Sequence, residues 1–467
     1  MSTMGWPEVE NPDYKAFFPG HLLETGHDIL FFWVARMVMM SLELTDQLPF
    51  KTVFLHPMVK DENGRKMSKS KGNVIDPLEV LDSCDLDTLL KKLYESNLPQ
   101  SEVAKAVQDK TAKFPQGIPE CGTDALRFTL LSYMVQSSIN LDVARVVGYR
   151  EFCNKLWNIV RFALGNFPEG FQPQADGVQS LAEHLSLPDR WILTRLSRLI
   201  ASTNSDFEGY RFGSMVNNLY DFWKKDLADV YLEAMKPVMK SENANGKAAA
   251  LNTLYICLDA ALRMLSPTMP YITEELFQRL PHIRGTAPES VCVAPFPREL
   301  VSFDGVEEQM QTLLETGRVL RQQLAALNVA SNARPTVAVK AQSAQTKAMF
   351  VAEKDVIQSL ARAGEVIVLG GAEQEPEGCV SGFVTDEITV YVKVIGLIDI
   401  KLELARLAKR RKQLAGLKQK LADKMAAASY LERVPEQVRK QDAEKLAGYE
   451  NELATLDAQT ANMASFQ

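Results

Sequence analysis

The sequence has no Cys-x-x-Cys pair, no apolar run of eighteen residues and no excess of positive charge. Each absence removes a class of protein. The six cysteines (Cys84, Cys121, Cys153, Cys257, Cys292 and Cys379) are scattered through 467 residues. That scatter predicts free thiols in a reducing compartment, with neither disulfides nor structural zinc, and no metal site is expected. Without a long apolar run, no transmembrane helix and no membrane partner are expected. The opening Met1-Ser2-Thr3-Met4-Gly5-Trp6-Pro7-Glu8 lacks the basic and apolar stretches of a secretory leader, so the expected location is cytoplasmic. A formal charge of −7 argues against a uniformly basic nucleic-acid coat and leaves room for a local basic patch. The remaining composition, 46% hydrophobic and 24% charged, is ordinary, so each of about three domains can bury a core.

What is present changes along the chain. Residues 16–23 are mostly apolar and predict a buried strand. Residues 28–44, rich in methionine and aromatics, predict a buried helix with Met37, Met39 and Met40 filling a core. Residues 52–56 are β-rich and predict a second strand, and Asp76-Pro77 reads as a helix start. This β-α-β order predicts a parallel sheet whose ligands sit beyond the carboxyl ends of its strands. Residues 86–115 turn polar and read as a surface insertion, residues 123–128 resume a helix, and 165–177 read as a linker. From 189 to about 327 helical periodicity dominates, as in Leu251, Leu254, Leu258, Leu262 and Leu265, and predicts a bundle. Residues 336–394 shift to β-branched runs and predict a small α+β module.

From residue 400 the pattern changes again. Leu407, Leu414 and Leu421 recur every seven residues, supported by Leu404, Leu417 and Met425, and a second apolar series runs from Leu446 to Met463. Together they predict an antiparallel coiled-coil hairpin. Between 401 and 424 there are nine Lys or Arg and two Asp or Glu, a net +7 on an acidic protein.

The sharpest local signal is Lys66-Met67-Ser68-Lys69-Ser70-Lys71-Gly72-Asn73, after a predicted strand and before a capped helix. Lysine brings a point charge, serine adds hydrogen bonds and glycine admits the backbone, a set that suits a polyphosphate. The same letters also suit a solvated basic loop.

KMSKS is the second signature of class I aminoacyl-tRNA synthetases, and the match extends over most of the chain. Residues 24–37, from Glu24-Thr25-Gly26-His27-Asp28 to Trp33-Val34-Ala35-Arg36-Met37, resemble the adenylate-binding strand-to-helix turn of the valine-specific branch. Residues 114–128, Ile139-Asn140-Leu141-Asp142-Val143 and Phe152-Cys153-Asn154-Lys155-Leu156-Trp157-Asn158 resemble the same branch. Pro267-Thr268-Met269-Pro270-Tyr271-Ile272-Thr273-Glu274-Glu275-Leu276-Phe277 resembles its anticodon-binding domain.

The resemblance implies an α/β plus all-α architecture in four parts. These are a partial Rossmann-type parallel sheet with the KMSKS loop (1–165), an anticodon-binding helix bundle (178–330), the α+β module (331–398) and a tRNA-binding coiled-coil arm (399–467). It implies ATP, with Mg2+, as substrate, and L-valine and tRNA(Val) as partners. Lys69 would be catalytic, stabilising charge as the valine carboxylate attacks the α-phosphate, with Lys66, Ser68 and Ser70 in support. Gly26 would give the adenylate close approach and Asp28 would meet the ribose. Trp33 would line the pocket or else fill a core; His56 would meet the nucleotide or else be structural. Asp124 and Arg127 read as scaffolding. Arg406, Lys409, Arg410, Arg411, Lys412, Lys418 and Lys420 would contact tRNA phosphates, or else form an ordinary charged helix face.

The chain also departs from the family pattern. His-x-Gly-His is absent, an inserted editing domain is absent, and Gln136-Ser137-Ser138 stands where the family has a Gly-Arg-Asp run. Two readings follow: a carboxyl-terminal half of a valine-specific ligase, with the other half a separate chain or part of a longer one, or a non-catalytic tRNA-binding protein of the same descent. A nucleotidyl transferase acting on something other than tRNA is a weaker third.

Overall fold

The structure is a computed structural model. It describes all residues except 62–63, 68–72, 97–98, 135–137, 176, 284–287, 299, 328, 331–332, 396–399, 427–429, 431–438, 440, 444, 447, 450–451, 454–455, 458–459 and 462–467. The chain divides into two compact units: Met1–Glu183 with Ile192–Asp229 and Leu251–Ser302, and His184–Trp191 with Val230–Ala250 and Phe303–Gln467.

The first unit opens with helix α1 (Pro12–Phe17), where the Asn11 side chain accepts from the Asp13 N–H at 2.9 Å and Pro12 takes the first turn. Pro19 has no N–H to give a ladder, so strand β1 begins only at Gly20 and runs to Gly26. The buried strand expected over 16–23 is therefore helix at one end and a largely exposed strand at the other. A 3-10 turn (His27–Ile29) and a π turn (Leu30–Val34) lead into α2 (Ala35–Thr45), which returns the chain to β2 (Phe50–His56). β1 and β2 pair in parallel, from Gly20 opposite Phe50 to Gly26 opposite His56. A second parallel pair joins β3 (Met58–Lys60) to β4 (Ser138–Asn140).

The 28–44 segment is helical as expected and is not buried. Phe31 is 83% exposed and Met39 69%, and Phe32, Trp33, Met37, Met40, Leu42 and Leu44 are also exposed. The core-filling role expected of Met37, Met39 and Met40 does not hold. Apolar periodicity marks a face that gains from cover without saying which segment covers it.

Helices α3 (Pro77–Leu81), α4 (Leu86–Tyr94) and α5 (Gln100–Lys113) follow, the Asp76 carboxylate accepting from the Leu78 N–H at 3.0 Å. The stretch expected as a surface insertion is thus two helices, and Leu89 is buried with Val80, Cys84, Ile118, Ala125 and Val146. After α6 (Thr123–Ser132) and α7 (Val143–Asn166) come α8 (Leu187–Glu208), α9 (Phe212–Asp221), α10 (Leu232–Ala234), α11 (Lys236–Lys240), α12 (Ala244–Leu265), α13 (Pro270–Phe277) and α14 (Val306–Ala326). Among the described residues α12 is the one helix long and apolar enough to cross a membrane, but Leu254, Leu258, Leu262 and Leu265 are fully buried within the protein.

In the second unit, Ser186 and Asp189 form a reciprocal capping box at the start of α8. The Ser186 N–H donates to Asp189 Oδ2 at 2.9 Å, and the Asp189 N–H donates to Ser186 Oγ at 3.3 Å. The Tyr231 hydroxyl donates to the other oxygen of this buried carboxylate at 2.6 Å. Strands β5 (Thr336–Ala341), β6 (Glu365–Gly370), β7 (Cys379–Thr385) and β8 (Ile388–Lys393) form one sheet in the order β6-β5-β8-β7, parallel between β5 and β6 and antiparallel elsewhere. Helices α15 (Ala344–Ala352) and α16 (Lys354–Ala361) connect β5 to β6. Helix α17 (Ile400–Ala426) buries Leu407 and Leu414 and leaves Leu417 half exposed.

Candidate functional site

The carboxyl ends of β1 and β2 bring together several of the residues singled out by the sequence. Gly26 and His56 are register partners at these ends, and Asp28 follows in the 3-10 turn. A Cβ on Gly26 would stand 2.8 Å from both Asp28 Oδ1 and Met58 Sδ and would have to push those side chains aside, so glycine keeps the backbone approachable here. Lys66 Nζ donates to Asp28 Oδ2 at 2.9 Å across 38 residues of chain. That hydrogen bond holds the Asp28 carboxyl below its ordinary value. Both partners are well exposed, so the pair is a weak one, open to exchange with another anion. His56 Nδ1 lies 3.1 Å from the Pro57 carbonyl and Nε2 lies 3.4 Å from a Glu24 carboxylate oxygen, which orients the ring beside Gly26. Trp33 is more than half exposed, so its reading as a core aromatic does not hold.

Ser68, Lys69 and Ser70 lie outside the described residues. The base of their loop is described, and it is stapled. Buried Asp61 accepts from the Arg65 N–H at 2.8 Å, from Arg65 Nε at 2.7 Å and from Asn73 Nδ2 at 3.0 Å. Asn73 Nδ2 also donates to the Lys66 carbonyl at 3.3 Å, and Lys60 and Lys66 form an antiparallel bridge. Burial pushes the Asp61 carboxyl up, but the hydrogen bonds from Asn73 and Arg65 outweigh it and hold the group at about 2. Asp61 thus fixes Arg65 and Asn73, on either side of residues 68–72. The sequence pattern gave no hint of this, because an Asp in an Asp-Glu-Asn-Gly turn looks like solvent-facing punctuation.

Asp124 and Arg127, expected as scaffolding, hold the start of α13. Asp124 accepts from the backbone N–H groups of Ile272 at 2.7 Å and Tyr271 at 3.3 Å. Arg127 donates to the carbonyls of Pro267 at 3.0 Å and Thr268 at 3.3 Å. Burial raises the Asp124 carboxyl while these backbone bonds lower it. In the bundle, Arg195 pairs with Asp226 at 2.9 Å and Lys224 donates to the Tyr220 hydroxyl at 2.9 Å.

The basic arm is partly neutralised from within. Arg410 pairs with Glu452 at 2.8 Å, Arg411 with Asp457 at 2.5 Å and Lys424 with Asp442 at 2.7 Å. Arg406 donates to the Ala326 carbonyl at 3.2 Å. Lys409, Lys412 and Lys420 are exposed and make no ion pair among the described residues, and Lys418 is half-buried.

Comparison with known proteins adds two family matches. Residues 1–142 match the model for tRNA synthetases class I (I, L, M and V), and residues 189–340 match the anticodon-binding domain of tRNA ligase. Over 98% of its length the chain is 45% identical to a valine–tRNA ligase of Mus musculus and 44% identical to one of Homo sapiens. A mitochondrial valine–tRNA ligase of Arabidopsis thaliana is 41% identical over 99% of the chain. The chain spans 36% of the length of the mouse and human relatives and 43% of the plant one. A solved ternary complex of an Agrobacterium radiobacter K84 LeuRS with tRNA and LeuAMS aligns over 69% of this chain and 38% of that one, at 17% identity and a TM-score of 0.42.

Proposed function

Because residues 1–142 belong to the class I tRNA synthetase family and residues 189–340 to the anticodon-binding domain of tRNA ligases, we propose that this chain is a portion of a valine–tRNA ligase. Such an enzyme joins L-valine to tRNA(Val) through a valyl-adenylate made from ATP. The observation that carries the reading is the Lys66–Asp28 pair beside Gly26, at the carboxyl ends of parallel strands.

In this reading the valine carboxylate attacks the α-phosphorus, the bond from that phosphorus to the bridging oxygen breaks, and pyrophosphate leaves. Lys69 stabilises the charge that develops on the phosphate oxygens, with Lys66, Ser68 and Ser70 supporting the same loop. Gly26 leaves room for the adenylate, Asp28 accepts from the ribose hydroxyls and Trp33 lines the same pocket. The Lys66–Asp28 pair is solvent-exposed and therefore weak, so arriving phosphates can draw Lys66 away and free Asp28. Mg2+ belongs to the same proposal as the ion that ATP carries. Among the described residues no group of three or more His, Cys, Asp or Glu is placed to hold a metal.

The four-part division at 1–165, 178–330, 331–398 and 399–467 is part of the proposal. The bundle takes the anticodon, and the arm, read as a coiled-coil hairpin, offers Lys409, Lys412 and Lys420 to tRNA phosphates. A cytoplasmic setting rests on the free cysteines; mitochondria, where the plant relative is named, are the competing compartment.

A second reading, a non-catalytic tRNA-binding protein, is favoured by one observation: Lys409, Lys412 and Lys420 of the arm are exposed and make no ion pair among the described residues, so they can serve tRNA phosphates with or without a working nucleotide site. Valine-dependent ATP–pyrophosphate exchange separates the two. A polypeptide joining this chain to the portion of the mouse relative that it does not span should catalyse exchange. Retained tRNA binding with no exchange would favour the second reading.

A further inference from the structure

The second unit holds a cleft of about 680 Å³ lined by α10, α11, α16 with the residues that follow it, and Arg334 just before β5. Its charged lining is mainly cationic: Lys236, Lys240, Arg334 and Arg362 face Glu233 and Asp355. Lys236 is neutralised by Glu233 at 2.5 Å. Lys240, Arg334 and Arg362 are exposed and make no ion pair or side-chain hydrogen bond among the described residues. The paired cations of the arm, Arg410 and Arg411, make the contrast plain.

The walls are fixed. Ser359 Oγ donates to the Glu233 carbonyl at 2.7 Å and Gln358 Nε2 to the Gly364 carbonyl at 2.6 Å. The Gly364 N–H donates to the Pro335 carbonyl at 2.9 Å, and a Cβ at position 364 would fall 2.2 Å from the Arg334 carbonyl oxygen. Only glycine lets the two chain segments meet that closely. Arg362 itself has a φ of 56°, at a helix-end position where glycine or asparagine is the usual occupant. Burial, and then the like charges of Arg362 and Arg318, push the Arg321 guanidinium below its ordinary value. Four cations thus face two carboxylates in this lining, and one of the two, Glu233, is already taken up by Lys236.

We infer that this cleft binds the phosphodiester backbone of RNA, with Lys240, Arg334 and Arg362 as the contacting cations; the inference rests on the tRNA reading above. An open polar cleft with three unquenched cations on separate segments matches successive phosphates of a strand better than one small anion. Two of the three, Lys240 and Arg334, lie within the residues that match the anticodon-binding family.

The test is filter binding of a tRNA(Val) transcript to the full chain over a salt series. Lys240→Gln/Arg334→Gln/Arg362→Gln should lower the slope of log K against log salt by about 2 and weaken binding at low salt by at least about tenfold. Each single variant should lower the slope by about 0.7, which keeps the test decisive should the triple variant fold poorly. Arg334→Lys/Arg362→Lys, which keeps the charge, should keep the slope. Inorganic phosphate at constant ionic strength should displace little RNA from the unaltered chain; strong displacement that the triple variant lacks would mark a free-phosphate site and overturn the inference. An unchanged slope in all variants would overturn the cleft and leave the tRNA reading standing. Failure of the unaltered chain to bind tRNA would overturn both.

Discussion

Helix α2 and the 254–265 stretch of α12, both in the first unit, are similarly apolar and end in opposite surroundings. Leu254, Leu258, Leu262 and Leu265 are removed from water entirely, and each such burial contributes about 2 kcal/mol. Met39 and Met40 of α2, with Phe31, Phe32 and Trp33 of the π turn before it, are each more than half exposed and gain little of this. Large apolar side chains exposed together in one segment are the kind that interaction surfaces use. Among the described residues β1 and β2 form a two-stranded parallel pair, whereas parallel sheets are normally larger and covered on both faces. The difference teaches that an apolar pattern specifies the need for cover and leaves the source of the cover open. In the proposed ligase, α2 is the face that further segments of the nucleotide-binding domain would cover.

The comparison can be attacked at both ends. The largest effect should come from the covered helix: Leu258→Ala should cost about 2–5 kcal/mol in urea unfolding, and a cost below 1 kcal/mol would mean that α12 is loosely packed. In the joined polypeptide, Lys69→Ala should slow valine-dependent exchange by at least about a hundredfold, or about 2.7 kcal/mol, and a near-normal rate would remove Lys69 from the mechanism.

Asp61 gives a smaller, pH-dependent effect. Its folded value of about 2 lies below the ordinary carboxylate value, so its contribution is present above about pH 4 and is lost as pH falls toward 2. Unfolding of the unaltered chain against Asp61→Asn should show a gap of about 1–2 kcal/mol at neutral pH that closes over that window. A pH-independent gap would assign the effect to packing. The smallest change belongs to the open face. Met39→Ser in the chain alone should shift stability by less than about 0.5 kcal/mol, whereas a loss comparable to Leu258→Ala would show that α2 is covered after all.

The α12 leucines, β2, the Asp76 cap and the two buried arm residues Leu407 and Leu414 were legible because period and capping are local. The exposure of α2 was not, since nothing in residues 28–44 names their neighbour. Nor was the pairing of Arg410 and Arg411, whose partners Glu452 and Asp457 lie 42 and 46 residues away. The cationic cleft was hidden for the same reason, its charges coming from positions 236, 240, 334 and 362. At the site, Lys66, Asp28 and Gly26 were found as letters of a motif. Asp61, which fixes the base of their loop, was missed because its role lies in three hydrogen bonds that only the fold assembles.

The most direct measurement is a titration. The purified chain is mixed with a separately purified polypeptide covering the part of the mouse relative that it does not span, while tryptophan emission and valine-dependent ATP–pyrophosphate exchange are followed together. The account predicts a saturable blue shift that Trp33→Phe removes, with exchange appearing only in the mixture. Exchange by the chain alone at the rate of the mixture would contradict it.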